Sequence, residues 1–479
     1  MHALLPDLVL MALAFFAAFS GAGRRRPNLG FHASWIGLLG VLAVYAVRAF
    51  ALDAAPVDLF GGAWRIDRLG LLWRVVFTLS ALCAVLLSRG NFQRRSGGRE
   101  ALTQPGEFFA LLLFSTLGGI TVVSARELLT LFIGLELATI PLFFLAAWNK
   151  RDDSSGEASV KYVAMGGVSS AVMLFGLSYL YGFCGSLSLD ALAVRIAAEP
   201  DHALLWIGVL FVIAGAGFKL TLFPFHLWAP DVYEGSSTPL AAYLSVGSKS
   251  VAIAFLATLV CGPFAAVRET LTPVLLLLAG ATTLAGNLGA LKQGRLRRFM
   301  AWSGVSQAGF LVLALAGPAP LARSSLVFYM FVYAFANYLA FFVFAIVARS
   351  RDEGFSSLRG MSREWPALAV LLAISMFSLA GIPPMAGFLG KFGLLASAAS
   401  GKNFLAVAFM VLNGVIGLYI YLTVLRSAWV DRVADGEALA PLESGRRERI
   451  MVWILAAALL LAGIVPFLSQ RIVQLLSPH

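Results

Sequence analysis

Charge is what this chain has least of. Asp, Glu, Lys and Arg make up 13% of its 479 residues, whereas 59% are hydrophobic. A soluble domain carries about 25% charged and about 45–50% apolar residues, so there is too little polar surface here to wet a globule of this size. A soluble enzyme, a nucleic-acid-binding domain and a disordered tail are excluded together. Cysteine is scarce as well. Cys83, Cys184 and Cys261 lie far apart with no CxxC, which indicates neither a disulfide framework nor an iron–sulfur or zinc site. The five histidines, His2, His32, His202, His226 and His479, offer no pair well inside two apolar stretches, as a bis-histidine haem needs. No GxxxxGK[ST] run and no GxGxxG fingerprint is present, so neither ATP nor a dinucleotide has a recognisable motif.

Long apolar runs are abundant. A helix needs about 20 apolar residues to cross the hydrocarbon core. About fourteen stretches qualify: 3–20, 31–51, 68–88, 107–124, 128–148, 160–181, 203–224, 239–261, 270–290, 299–317, 324–348, 366–397, 404–425 and 451–470. The expected fold is an all-α polytopic membrane protein in the lipid bilayer, with no separate extramembrane domain. The opening MHALLPDLVL has no basic leader, so the first stretch reads as a retained helix. The net charge of +11 fits loops that face anionic lipid. With the N-terminus outside, inner loops hold 22 Lys and Arg and outer loops 8. That bias orients both termini to the outer, periplasmic side.

Six basic residues remain inside spans: Arg48, Arg74, Lys161, Lys219, Lys249 and Lys391; among the acids Glu136 is the interior case. A charge at a helix centre costs roughly 2.5–3.5 kcal/mol even on the lenient insertion scale, so each needs a partner or a task. Arg48 is close enough to a span end to snorkel, and Lys161 either snorkels or takes part in a pathway. Arg74 is a candidate to pair with Asp67. Glu136 and Lys249 lie about 12 Å and about 15 Å into their helices, too deep for easy escape. For the deep group two readings stand side by side: a fixed ion pair that locks the bundle, and a set of protonatable side chains along a wet path.

Proline sharpens the choice. Lys219 precedes Pro224 by five residues, and Lys391 follows the Pro383–Pro384 pair by seven. Proline removes a donor and pushes away the carbonyl four residues back. In lipid the freed groups are tolerated only against protein or water. The broken spans are the seventh and twelfth, five apart. This suggests two inverted five-helix repeats, spans 4–8 and 9–13, a recurrent transporter plan. The expected organisation is helices 1–3 in 1–106, a first repeat in 107–261, a second in 262–425, and a loop with helix 14 in 426–479. A lysine carries protons at neutral pH only if desolvation draws its pKa from about 10.4 towards 7. A carboxylate ~6 Å away opposes that by ~2.8 kcal/mol at a dielectric of ~20, so a movable carboxylate acts as a gate.

The run FKLTLFPFHLWAPDVYEGSSTP (Phe218–Pro239) resembles the seventh-helix signature of subunit N of respiratory complex I, within the family of antiporter-like subunits N, M and L and the Mrp antiporters. The likeness extends to Leu135–Leu137, Ser159–Gly176, Leu291–Phe310 and Ser378–Phe392, and so covers about 105–425. It implies proton translocation within an NADH:quinone oxidoreductase of a bacterial inner membrane. FMN, iron–sulfur clusters and quinone would then sit in partner subunits, with no redox, cofactor or metal site in this chain. It further implies neighbouring membrane subunits such as M and the small subunit K. By the same resemblance Glu136 pairs with Lys219, Lys249 is the central relay, and Lys391 lies nearest the outer exit. Lys161 matches a further sixth-helix lysine. His226 matches a histidine beside the break, where a helix cap is the plainer alternative. Gln307 departs from the pattern, since many relatives carry histidine there. An Mrp-type cation/proton antiporter and a structural spacer with a fixed ion pair are the competing readings.

Overall fold

In the computed structural model, residues 2–22, 27–51, 55–92, 105–149, 152–433, 442 and 445–465 are described. The basic residues Arg24–Arg26, Arg94, Arg95, Arg99, Lys150, Arg151 and Arg471, counted in the charge bias, lie outside them, as does the end of the last apolar stretch.

The chain divides into two units, Met1–Leu275 and Leu276–His479. The first holds α1 (Leu5–Ala22), α2 (Pro27–Phe50), a short hairpin of β1 (Val57–Leu59) and β2 (Trp64–Ile66), α3 (Arg68–Phe92), α4 (Pro105–Ser124), α5 (Leu128–Ala146), α6 (Asp153–Cys184), α7 (Leu189–Ala198), α8 (Ala203–Leu220), α9 (Trp228–Gly235), α10 (Thr238–Tyr243) and α11 (Lys249–Val260). Helix α12 (Arg268–Ala290) runs across the boundary. The second unit holds α13 (Leu296–Ala314), α14 (Ala319–Ser350), α15 (Met361–Glu364), α16 (Pro366–Ala380), α17 (Ala386–Ser400), α18 (Phe404–Trp429) and α19 (Arg446–Ile464).

Among the described residues ten helical segments are long and apolar enough to cross a membrane, and Leu5–Ser20 and Pro366–Ala380 are shorter apolar ones. Two of the expected spans do not qualify by apolarity. Helix α13 carries Arg297 and Arg298 in its first turn and Ser303, Ser306 and Gln307 along its length, and α19 opens on four charged residues. The hairpin and the ten-residue α7 were not expected. Both fall in connections too short to show a hydrophobic period.

The seventh and twelfth spans are broken where proline marks them. Helix α8 stops at Thr221, whose backbone is left-handed at φ 63°. Leu222 N donates to Gly217 O at 2.7 Å and Thr221 N to Phe218 O at 3.0 Å, and α9 starts at Trp228. Helix α16 stops in the same way. Gly381 is left-handed at φ 85°, Ile382 N donates to Phe377 O at 3.0 Å, and α17 starts at Ala386. Both ends use the six-to-one bond that closes a helix with a left-handed residue. Each connecting segment contains a cis X–Pro peptide, at Phe223–Pro224 and Pro383–Pro384.

Small residues bring the helices of the first unit close enough to share polar side chains, as expected where lipid provides no hydrophobic drive between helices. A Cβ on Gly176 of α6 would lie 2.8 Å from Val212 N of α8, and one on Gly215 of α8 would lie 2.9 Å from Ser169 O. Ser169 Oγ donates to Gly215 O at 2.9 Å across this seam.

Arg74 does not pair with Asp67, whose Oδ1 instead accepts from Gly70 N at the start of α3. The guanidinium is fully buried, donates to Asp7 Oδ1 of α1 at 3.1 Å and to Ser124 Oγ of α4 at 2.6 Å, and covers the Tyr45 ring of α2. The partner comes from tertiary packing, not from the preceding turn.

A buried carboxylate–lysine pair at a helix break

Glu136 lies midway along α5, five residues before Pro141, which is itself inside that helix. Its Oε1 is 3.0 Å from Lys219 Nζ on the last turn of α8. The lysine side chain is 2% exposed and the glutamate 15%. Ser170 of α6 completes the cluster, donating its hydroxyl to Glu136 Oε1 at 2.7 Å and accepting from Lys219 Nζ at 3.2 Å. The seam of small residues described above places Ser170 there. A serine in an apolar helix carries little penalty, so the sequence held no mark of it.

The break itself is tied down by aromatic packing. Trp228, the first residue of α9, donates Nε1 to Phe218 O at 3.1 Å and stacks on Tyr162 of α6 at 4.5 Å. His226 is buried in the turn, 5.7 Å from the Phe223 ring, and its carbonyl accepts from Ala229 N at 3.0 Å as α9 begins. Asp231, in the PDVYEG run, reaches Lys161 of α6 at 2.8 Å. Lys161 also meets Glu157 one turn back at 2.7 Å, with its side chain 42% exposed. Asp231 thus forms an ion pair between α9 and α6.

Lys249 begins α11 directly after one π turn, Leu244–Ser248, and is 1% exposed. Single π turns inside helices re-phase the side chains that follow and occur often at functional sites. Its Nζ donates to Thr221 Oγ1 at 2.6 Å. Thr221, too, is absent from the sequence-based set. Glu136, Ser170, Lys219, Thr221 and Lys249 thus gather around the α8 break.

In the second unit Lys391 is buried on α17. It donates Nζ to Ala380 O at 3.1 Å and lies over the Phe310 ring at 4.9 Å. The preceding carbonyl, Leu379 O, accepts from Gln307 Nε2 at 3.1 Å. Gln307 also donates to Tyr421 OH at 2.9 Å and accepts from Tyr329 OH, while Ser303 and Tyr421 share a 2.6 Å bond. The last four carbonyls of α16, Phe377 to Ala380, all have donors: Gly381 N, Ile382 N, Gln307 and Lys391. That satisfies the requirement that backbone groups freed at membrane depth find protein partners.

A predominantly helical membrane protein with two broken helices, and a buried acid–lysine pair at one of them, is antiporter-like in architecture. A family model described as "NADH:quinone oxidoreductase/Mrp antiporter, TM" matches residues 125–417. NADH-quinone oxidoreductase subunit N 2 of Acidobacterium capsulatum is 38% identical over 98% of this chain and 97% of its own length. A chain of respiratory complex I from Thermus thermophilus superposes with a TM-score of 0.81 at 28% identity, covering 97% of this chain and 98% of that one. A chain of the Mrp complex from Dietzia sp. shares the fold at a TM-score of 0.85 and 19% identity, covering 98% and 96%. The chain belongs to the NADH:quinone oxidoreductase/Mrp antiporter family of transmembrane subunits.

Proposed function

We propose that this chain is the proton-translocating, antiporter-like subunit N of a respiratory NADH:quinone oxidoreductase. Glu136, Lys219, Lys249 and Lys391 would carry the proton, in that order. The observation that carries the reading is the 3.0 Å Glu136–Lys219 contact beside the α8 break. In contact, the pair holds a proton as ammonium against carboxylate. When the two part, the ammonium loses its counter-charge and the proton moves on, towards Lys249. A buried pair of this kind is costly to desolvate and adds little net stability, which favours a working gate over a fixed lock. Lys161 and His226 flank the break and serve in gating.

The redox chemistry belongs to partner subunits, with FMN, iron–sulfur clusters and quinone there and no redox centre in this chain. The named relatives are subunits of NADH-quinone oxidoreductase, and this supports the complex I reading over an Mrp-type antiporter. The same likeness supports contact with membrane subunits such as M and K, and residence in a bacterial inner membrane. The charge bias of the loops supports periplasmic termini. The matched helix ends at Thr221 and Gly381 support two five-helix repeats, 107–261 and 262–425.

The test is NADH-driven proton uptake into inverted membrane vesicles, expressed per electron, with Lys219→Ala. Uptake should fall sharply while the complex assembles in normal amount. Normal uptake by a normally assembled Lys219→Ala complex would sink the proposal. Sodium-dependent proton release without an electron donor would instead favour the antiporter.

A further inference from the structure

Thr221 is a β-branched residue in a left-handed conformation, φ 63° and ψ 39°. For such a residue this is an outlier that the surroundings must enforce. Helix ends of this shape ordinarily take glycine, and the second unit does so at the corresponding place, Gly381 with φ 85°. What differs between the two breaks is the acceptor offered to a buried lysine. Lys391 finds a backbone carbonyl, Ala380 O. Lys249 finds a side chain, the Thr221 hydroxyl, at 2.6 Å. Among the described residues no carboxylate lies within ion-pair distance of Lys249, although it is 1% exposed. Glycine at position 221 would relax the backbone and leave that ammonium without its hydroxyl.

We infer that Thr221 is a positioning residue of the relay: its hydroxyl, held at the α8 break two residues downstream of Lys219, fixes the Lys249 side chain, and this is why the helix ends on threonine. The closing bond from Thr221 N to Phe218 O and the lysine contact belong to the same residue, so a change in the break moves both. The π turn before Lys249 supplies the matching phase from the other side. The inference rests on the proton-translocation reading above and adds to it a residue that neither the seventh-helix acid–lysine pairing nor the prolines identify.

A helix cap and a hydroxyl anchor predict opposite rankings of variants. If Thr221 only closes α8, Thr221→Gly is the best replacement, because glycine adopts the left-handed region freely. If the hydroxyl positions Lys249, Thr221→Ser is the best. Three variants, Thr221→Gly, Thr221→Ser and Thr221→Val, would be assembled in the intact complex. NADH-driven proton uptake per electron in vesicles would be read beside the amount of complex and Lys219→Ala. Expected is uptake within about two-fold of the parent for serine. For glycine and valine a loss of roughly ten-fold or more is expected, the factor set by one hydrogen bond to a charged group. Uptake by the glycine variant equal to or above that of serine overturns the inference. So does a glycine variant that fails to assemble where serine assembles, since the hydroxyl then serves the fold. If Lys219→Ala takes up protons normally, the broader functional reading fails; if only Thr221→Gly does so, the positioning role alone fails.

Discussion

Arg74 on α3 holds Asp7 on α1 at 3.1 Å, and the same guanidinium bonds Ser124 on α4 while Tyr45 on α2 donates to the same Asp7 oxygen. Four helices therefore meet on one fully buried arginine. Arg48 adds a bond from the end of α2 to Ala3 O at 2.9 Å. The interior charge of the third span has a tertiary partner that holds the first helical hairpin against α3 and α4.

Asp7→Ala leaves this arginine buried without its counter-charge, and breaking such a pair from one side costs about 3–5 kcal/mol. The expected result is a purified complex with a markedly lower unfolding temperature for this subunit, followed by tryptophan fluorescence. The double variant Asp7→Leu/Arg74→Met should regain most of the loss, because apolar replacements of a buried pair are often neutral or stabilising. A double variant no better than the single one would show that the charges themselves hold the hairpin.

How much of this could be read from the sequence depends on what each residue costs in an apolar helix. Glu136, Lys219, Lys249 and Lys391 were legible because a charge in hydrocarbon is expensive and must be explained. The breaks were legible because proline in an apolar stretch removes a backbone donor and weakens the helix there, although Pro141 is carried within α5 without ending it. Ser170 was not, because a hydroxyl in an apolar helix is common and cheap. Thr221 was not, because its importance lies in a backbone angle and a contact across the break, and neither leaves a mark in one sequence. The candidate partner for Arg74 is not the one the fold provides, for a related reason: Asp67 is near in sequence, while Asp7 is brought near only by packing.

The Gln307 amide is fully engaged: it donates to Leu379 O and Tyr421 OH and accepts from Tyr329 OH. It works as a knot that ties α13 to α14, α18 and the end of α16. Gln307→Leu should orphan those groups at about 1–3 kcal/mol for each one left buried and unpaired. The expected signature is a less stable complex whose proton uptake per electron is unchanged. Uptake that falls in the surviving, correctly assembled complex would place Gln307 in the pathway itself.

Lys161 has two carboxylates, Glu157 at 2.7 Å and Asp231 at 2.8 Å, and a side chain nearly half open to its surroundings. Removing one carboxylate leaves the other in place. Asp231→Asn should therefore leave assembly and maximal turnover close to normal. Asp231→Asn together with Glu157→Gln should loosen α9 from α6 and reduce uptake per electron by more than the two single changes combined. Additive effects of the two single variants would argue against a shared clasp on Lys161.

Gly381 is constrained twice over. Its φ of 85° suits glycine, and a Cβ there would lie 2.9 Å from Lys391 Cδ. Gly381→Ala meets a left-handed backbone cost of roughly 1–2 kcal/mol and presses on the stem of the lysine that reaches Ala380 O. The stem is flexible, so the collision is relieved by moving the ammonium rather than by unfolding the break. The expected outcome is a modest fall in stability with a larger fall in proton uptake per electron, since Lys391 loses its fixed acceptor. Shortening the lysine in the same background provides the check. If Lys391→Ala already abolishes uptake, adding Gly381→Ala should cost stability alone, because the side chain that the methyl displaces is no longer there. A further loss of NADH:quinone turnover in that double variant would mean that the break, and not the lysine, is what the glycine protects.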